Sequence, residues 1–191
     1  MRILAVASTL LLVGLTAVVA QEERKDGVSP SGKIGWHVVK VGDNGASEVL
    51  ISEAAQEESA PKKLCEAISI ANTDVSIAPD DSWIIVQTGG ASLGVSLITF
   101  RRENGMIYNE EKEVDIGAAV LLSACGGDQK KADSMDHIYA DARGWSKNSK
   151  SLLVEMNAKG ESGRVESFFA IYDLVTKKVG FDLEKLNKAG R

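Results

Sequence analysis

The stretch Ala78–Gln87, with the sequence APDDSWIIVQ, decides the fold, because a second stretch aligns with it without a gap. That second stretch is Ser146–Glu155, SKNSKSLLVE. Each has a small residue, a four-residue polar turn and an aliphatic strand that ends in an amide or acid. Beyond them, GGASLG and AKGESG each connect to a second strand, SLITF and FAIYD. A unit that recurs after about seventy residues predicts a repeat of three-stranded antiparallel meanders.

The two copies resemble a known blade repeat. IAPDDSWIIV and GWSKNSKSLLV resemble the blades of WD40-like (TolB-type) β-propellers, in which a polar turn enters an aliphatic strand. The first copy keeps Pro79 and Asp80, but Asp81 and Ser82 stand where glycine is usual. A closed propeller needs at least about four blades, and this chain holds two, or three if the Lys33–Ser52 hairpin is a partial one. The resemblance therefore implies a mostly β fold with short helices, in which two blade-like meanders pack as an open sandwich or partial propeller.

The N-terminus has the features of an export signal. Arg2 precedes the uncharged run ILAVASTLLLVGLTAVVA, which ends at Ala20 with small residues at the cleavage positions. This pattern predicts a signal peptide over residues 1–20 and a secreted or periplasmic protein. A retained membrane anchor is the alternative, because eighteen uncharged residues nearly span a bilayer. With cleavage, we expect no membrane association of the mature chain.

Turn residues and hydrophobic periodicity divide the rest of the chain. We expect a disordered leader at residues 21–32, a single β-rich domain at 33–186 and a tail at 187–191. Short helices are predicted at Ala60–Ala71 and Ile116–Cys125. Asp115 is placed to cap the second helix and Gly126 to end it. The polar segment DQKKADSMDH, residues 128–137, is predicted to be a loop.

The charge and cysteine content limit the function classes. The net charge of −5, without a basic cluster, argues against a nucleic-acid partner. Cys65 and Cys125 are the only cysteines, and in an oxidising compartment we expect them to form a disulfide. Two buried free thiols are the alternative. No cofactor or metal is expected: Asp133, Asp136, His137 and Asp141 lie close in sequence but lack the ordered calcium-loop pattern, so a solvated loop is the preferred interpretation.

One motif points to catalysis. Gly90–Gly94 has the G-x-S-x-G pattern, which exposes a nucleophilic serine in α/β-hydrolases. A triad would combine Ser92 with His137 and an acid such as Asp136. That elbow requires a following helix, whereas VSLITF is β-branched and alternating, which predicts a strand. We therefore interpret the motif as a hairpin loop and expect no catalytic residues.

The remaining expectation is a binding surface. The two hairpin loops of the repeat contribute Gly90, Ser92, Leu93, Lys159 and Glu161, and loops on rigid sheets are where binding residues concentrate. Trp83 and Trp145 enter the repeat strands; they are expected to pack between sheets, or alternatively to line the binding surface. The sequence thus predicts an exported, non-catalytic binding or scaffolding domain for a protein or small ligand. A small serine hydrolase and an inhibitor of a secreted enzyme are the alternatives.

Overall fold

The computed structural model describes residues 24–42, 45–55, 60–90 and 94–182. The predicted signal peptide and the predicted tail at 187–191 lie outside these ranges, as do Ser92 and Leu93. The described ranges form strands and two helices in the following order: β1 (Arg24–Val28), β2 (Ile34–Lys40), β3 (Ser47–Glu53), β4 (Lys62–Ala67), β5 (Thr73–Ile77), β6 (Trp83–Gly90), β7 (Gly94–Asn104), β8 (Ile107–Glu110), α1 (Ile116–Ala124), α2 (Gln129–Asp133), β9 (Met135–Trp145), β10 (Ser151–Gly160), β11 (Gly163–Asp173) and β12 (Lys178–Gly180).

The strands form two sheets, as predicted for an open sandwich that closes into neither a barrel nor a propeller. Strands β1 to β4 make a four-stranded antiparallel sheet in chain order, which we call the first meander. The second sheet contains a middle meander, β5 to β8, and a third meander, β9 to β12. A single parallel bridge between Val95 of β7 and Tyr139 of β9 joins these two.

The middle meander is buried on both faces, which explains the uninterrupted apolar run WIIV in β6. Ile84 and Val86 pack against the first meander, in a cluster with Val38 and Val49. Ile85 points the other way and joins a cluster with α1 and the third meander. Because successive strand residues alternate between faces, one strand supplies the core of both interfaces.

The two aligned stretches adopt the same turn. In each, the residue before the turn donates its N–H to the first strand residue after it at 2.9 Å: Ala78 to the Trp83 carbonyl and Ser146 to the Ser151 carbonyl. The third turn residue is left-handed in both, with φ of 61° at Asp81 and 59° at Ser149. This conformation is unusual for residues other than glycine, so the correspondence is geometric as well as sequential.

A third turn of the same geometry corrects the predicted leader. Residues 24–28 are strand β1 rather than disordered, and Ser29–Lys33 link it to β2. The Ser29 N–H donates to the Ile34 carbonyl at 2.8 Å, and Gly32 occupies the left-handed position with φ 74°. The leader was predicted disordered because its strand is short and polar, so only pairing with β2 reveals it.

Two further predictions about local structure were wrong and one is confirmed. The predicted helix at Ala60–Ala71 is instead strand β4, which pairs with β3 through Cys65 and Val49. The predicted loop at residues 128–137 contains helix α2 and the start of β9. Helix α1 forms as predicted: the Asp115 carboxylate accepts from the Ala118 N–H at 2.8 Å, and Gly126, with φ 70°, follows its end.

The predicted disulfide does not form in this structure. Cys65 and Cys125 are both free thiols. Cys65 packs at the first-meander cluster and Cys125 lies in the cluster with α1, so the middle meander stands between them. Burial, reinforced by the charge of Glu110, raises the pKa of the Cys65 thiol to about 12, which keeps it protonated and unreactive.

Candidate functional site

A cleft of about 540 Å³ opens between β7, the β8–α1 connection, both helices and the start of β9. This volume lies in the range of small-molecule sites. The cleft is lined by Val95, Ser96, Leu97, Ile98, Thr99, Glu110, Glu111, Lys112, Val114, Asp115, Gly117, Ala118, Leu121, Gln129, Ala132, Asp133, Met135, Asp136 and Ile138. It thus has an apolar interior and a charged border.

Thr99 gives the cleft a polar group at its buried wall. The residue is only 2% exposed, and its Oγ1 has no hydrogen-bond partner among the described residues. Thr99 shares its face of β7 with Leu97, because Ile98 and Phe100 pack on the opposite side, against the first meander. A buried hydroxyl without a hydrogen-bond partner costs about 1–3 kcal/mol of folding free energy.

The segment after β8 fixes acidic residues beside Thr99. The Glu111 N–H donates to the Thr99 carbonyl at 2.8 Å, and the Val114 N–H donates to the Glu111 carbonyl at 2.9 Å. This turn delivers the chain to Asp115, whose carboxylate caps α1. Glu111 and Asp115 form no ion pair with a Lys or Arg of the described ranges.

The opposite side of the cleft carries two carboxylates that already have partners. Asp133 accepts from the Gln129 amide at 2.8 Å. Asp136 lies 2.7 Å from His137 Nδ1, and this hydrogen bond holds the pKa of Asp136 below its ordinary value. The Asp136 carboxylate is therefore ionised at neutral pH. Lys112 is the one basic residue in the lining.

The structure describes two of the three residues of the alternative hydrolase triad. Asp136 and His137 are hydrogen-bonded to each other, but both are exposed, and Ser92 lies outside the described residues. The chain after the motif is strand β7, starting at Gly94, as predicted from its alternation. A Cβ at Gly94 would come within 2.1 Å of the Ile138 carbonyl oxygen, and its φ is 85°. The glycine is thus required by the close approach of two strands, independently of any nucleophile.

The described residues that flank the first predicted binding loop, and the second loop itself, lie close to the cleft-lining strands β7 and β9. Gly90 pairs with Gly94, which abuts Ile138 of β9. Lys159 pairs with His137, and the Glu161 N–H donates to the Ser134 carbonyl at 3.3 Å. Gly90, Lys159 and Glu161 do not line the cleft themselves. Lys159 pairs with β9, the strand that supplies Met135, Asp136 and Ile138 to the lining.

Trp83 begins β6 and Trp145 ends β9, so both lie at the ends of these strands that are away from the cleft. Trp83 is 7% exposed and belongs to the core, with the Arg101 guanidinium 5.5 Å from its ring centroid. Trp145 packs on the same cluster, and its Nε1–H donates to Ser76 Oγ at 2.8 Å. Both rings thus pack on the cluster that joins the middle and third meanders within one sheet, and their part in a binding surface stays a prediction.

Sequence reasoning found Asp136 but missed Thr99, Glu111 and Asp115 as site residues. Asp115 was interpreted only as a helix cap. Thr99 has a signal in the sequence, since it is the polar residue on the buried side of the alternating strand SLITF. This polar position can be assigned to a cleft only once α1 and α2 are known to lie beside β7.

Within the described ranges, no group of three His, Cys, Asp or Glu side chains is arranged to hold a metal ion. Neither helix in the described part of the chain has the length and apolar character needed to cross a bilayer. Comparison of the chain with protein-family models matches no family, and comparison with curated proteins finds no relative.

Proposed function

We propose that this protein is an exported, non-catalytic binding module whose ligand enters the cleft beside Thr99. The observation that carries the proposal is the Thr99 hydroxyl, which is buried at the cleft wall and has no hydrogen-bond partner among the described residues. Buried polar groups almost always have a hydrogen-bond partner. A ligand that donates a hydrogen bond to this oxygen therefore offsets the free-energy cost of burying it. The signal-like N-terminus supports an exterior location.

We also propose that the three meanders derive from one degenerate, blade-like unit. Its support is the shared turn geometry and a contact that recurs between successive turns. The Ser31 hydroxyl donates to the Asp81 carboxylate at 2.6 Å, and the Asp80 N–H donates to Ser149 Oγ at 3.0 Å. In both cases the second residue of one turn donates to the third residue of the next.

A fragment screen by NMR tests the binding proposal. We expect compounds that shift the amide resonances of Thr99, Glu111 and Asp115 together. The Ala118→Phe variant should abolish these shifts, because Ala118 is an exposed α1 residue that lines the cleft. Lys130→Phe, an exposed α2 position outside the lining, is the matched control. Compounds that shift the cleft resonances equally in Ala118→Phe would contradict the proposal.

The absence of catalysis has its own test. A fluorophosphonate probe should leave Ser92 unlabelled, because the motif enters a strand and not a helix. Labelling at Ser92 that disappears in both Ser92→Ala and His137→Ala would replace the binding module by a serine hydrolase.

A further inference from the structure

We infer that the group recognised in the cleft is a primary ammonium carried on an apolar stem. The inference deepens the proposed function and rests on it. The lining contains five carboxylates, Glu110, Glu111, Asp115, Asp133 and Asp136, against Lys112. The formal charge of the lining is therefore −4 (five negative, one positive). Charge of one sign in a cleft concentrates ligands of the opposite sign.

The second observation is the hydroxyl of Thr99. An acidic border alone marks only a solvated surface, but Thr99 places an unpartnered acceptor at the buried wall. An ammonium has three N–H donors and no acceptor. It can therefore satisfy Thr99 Oγ1 while a neighbouring carboxylate neutralises its charge, and Glu111 is held next to Thr99 by its backbone hydrogen bond.

The arrangement of the carboxylates favours an ammonium over a guanidinium or a metal ion. A guanidinium is recognised by paired acceptors in one plane, whereas these carboxylates come from separate elements: the end of β8, the β8–α1 connection with the α1 cap, the end of α2, and β9. The described part of the chain contains no three-ligand metal cluster. A compact cation with freely rotating donors fits acceptors that are spread out.

The apolar part of the lining accounts for the stem. Leu97, Val114, Leu121 and Met135 are buried side chains that line the cleft between the carboxylates. Contact with alkyl carbons removes apolar surface from water. Lysine side chains bury their stems in this way and leave the charged end among polar groups. The ligand is therefore either a free alkyl amine or a lysine side chain of a partner segment.

The test compares probes of one length and different charge, by NMR titration of the full mature chain. We expect 1,5-diaminopentane to shift the Thr99, Glu111 and Asp115 amides, and 1,5-pentanediol and glutarate to bind at least about tenfold more weakly. The Glu111→Gln/Asp133→Asn variant should lose about tenfold in affinity for the diamine. The Glu113→Gln/Glu166→Gln variant is the control, because it removes the same charge from exposed residues outside the lining.

A second arm identifies the source of the ammonium. Nα-acetyl-lysine methylamide binding more tightly than the diamine assigns the site to a lysine of a partner, and the reverse order assigns it to a free amine; either supports the inference. Equal or tighter binding of the diol or of glutarate in the cleft overturns the ammonium but keeps the binding proposal. If no probe and no screened fragment shifts the cleft resonances, the proposed function itself fails.

Discussion

The two faces of β7 take part in two different interfaces. The face toward the first meander is filled by side chains, and we call it the closed interface; the face toward the helices and the third meander contains the cleft, and we call it the open interface. On one face, Phe100 is 2% exposed and packs with Ile98 against the first meander. On the other, Leu97 packs toward α1 and the third meander, while Thr99 borders the cleft. Sheet-on-sheet packing fills the first interface. In the open interface, helices α1 and α2 lie beside β7 and leave a space that side chains do not fill.

The difference teaches where function is compatible with stability here. Regular alternation on two facing sheets brings apolar rows together at constant spacing. A short helix placed against a sheet fills that spacing only along its own length, so its ends leave polar and open regions. The cleft lies where α1 begins, at its Asp115 cap.

Phe100→Ala should give the largest change in stability. It removes an aromatic ring from the closed interface, and we expect the free energy of unfolding to fall by about 3–5 kcal/mol. Denaturant unfolding measures it. Phe169→Ala, at a residue 42% exposed, is the matched control and should cost less than about 1 kcal/mol. Equal losses of stability in the two variants would show that Phe100 is not packed in the closed interface as described.

The reactivity of Cys65 tests the packing of the closed interface, where this thiol lies. With its pKa near 12 instead of 9.0, Cys65 should alkylate at pH 8 about a thousandfold more slowly in the folded than in the unfolded chain. The Cys125→Ala variant isolates this rate, measured by mass spectrometry with iodoacetamide. Loss of two hydrogens from the intact mass of the native protein would instead reveal a disulfide and a rearranged core.

Tyr108→Phe should have a smaller effect on the closed interface. The Tyr108 hydroxyl donates to the Asp81 carbonyl at 2.6 Å, so the variant should lose about 1–2 kcal/mol. Burial raises the pKa of Tyr108 to about 12, above its usual value near 10. Its contribution is therefore present below pH 10 and is lost as pH rises toward 12.

A pH series of urea unfolding checks this sign. The variant should lose less stability than the natural chain between pH 10 and 12. Tyr172, whose pKa is also raised by burial, retains part of the dependence. Identical alkaline slopes in both proteins would contradict the role of Tyr108.

Thr99→Val should have the smallest effect, and of opposite sign. Replacing an unpartnered buried hydroxyl by a methyl group should raise the free energy of unfolding by about 1 kcal/mol, while ligand binding in the cleft is lost. Thr88→Val is the control, because the Thr88 hydroxyl accepts from the Ile68 N–H at 3.3 Å and its removal should destabilise. Destabilisation by Thr99→Val would mean that the hydroxyl has a structural partner.

The sequence was sufficient where the pattern is local or repeated. The alternation after Gly94 predicted strand β7, and the gapless match of Ala78–Gln87 with Ser146–Glu155 corresponds to one turn geometry. It was misleading at β4, because Leu64 and Ile68 have helical spacing. Short apolar runs do not distinguish the two structures, and the pairing of β4 with β3 decides for a strand.

By itself the sequence determined a mostly β chain with a signal-like start, a capped helix at Ile116 and glycines that turn hairpins, since each depends on neighbouring residues. Only the tertiary structure decided the cleft. Thr99, Asp115 and Met135 are distant in sequence and come together because α1 and β9 pack beside β7. It also decided the fate of the cysteines, because a disulfide depends on which face of a sheet each thiol occupies and not on the compartment alone.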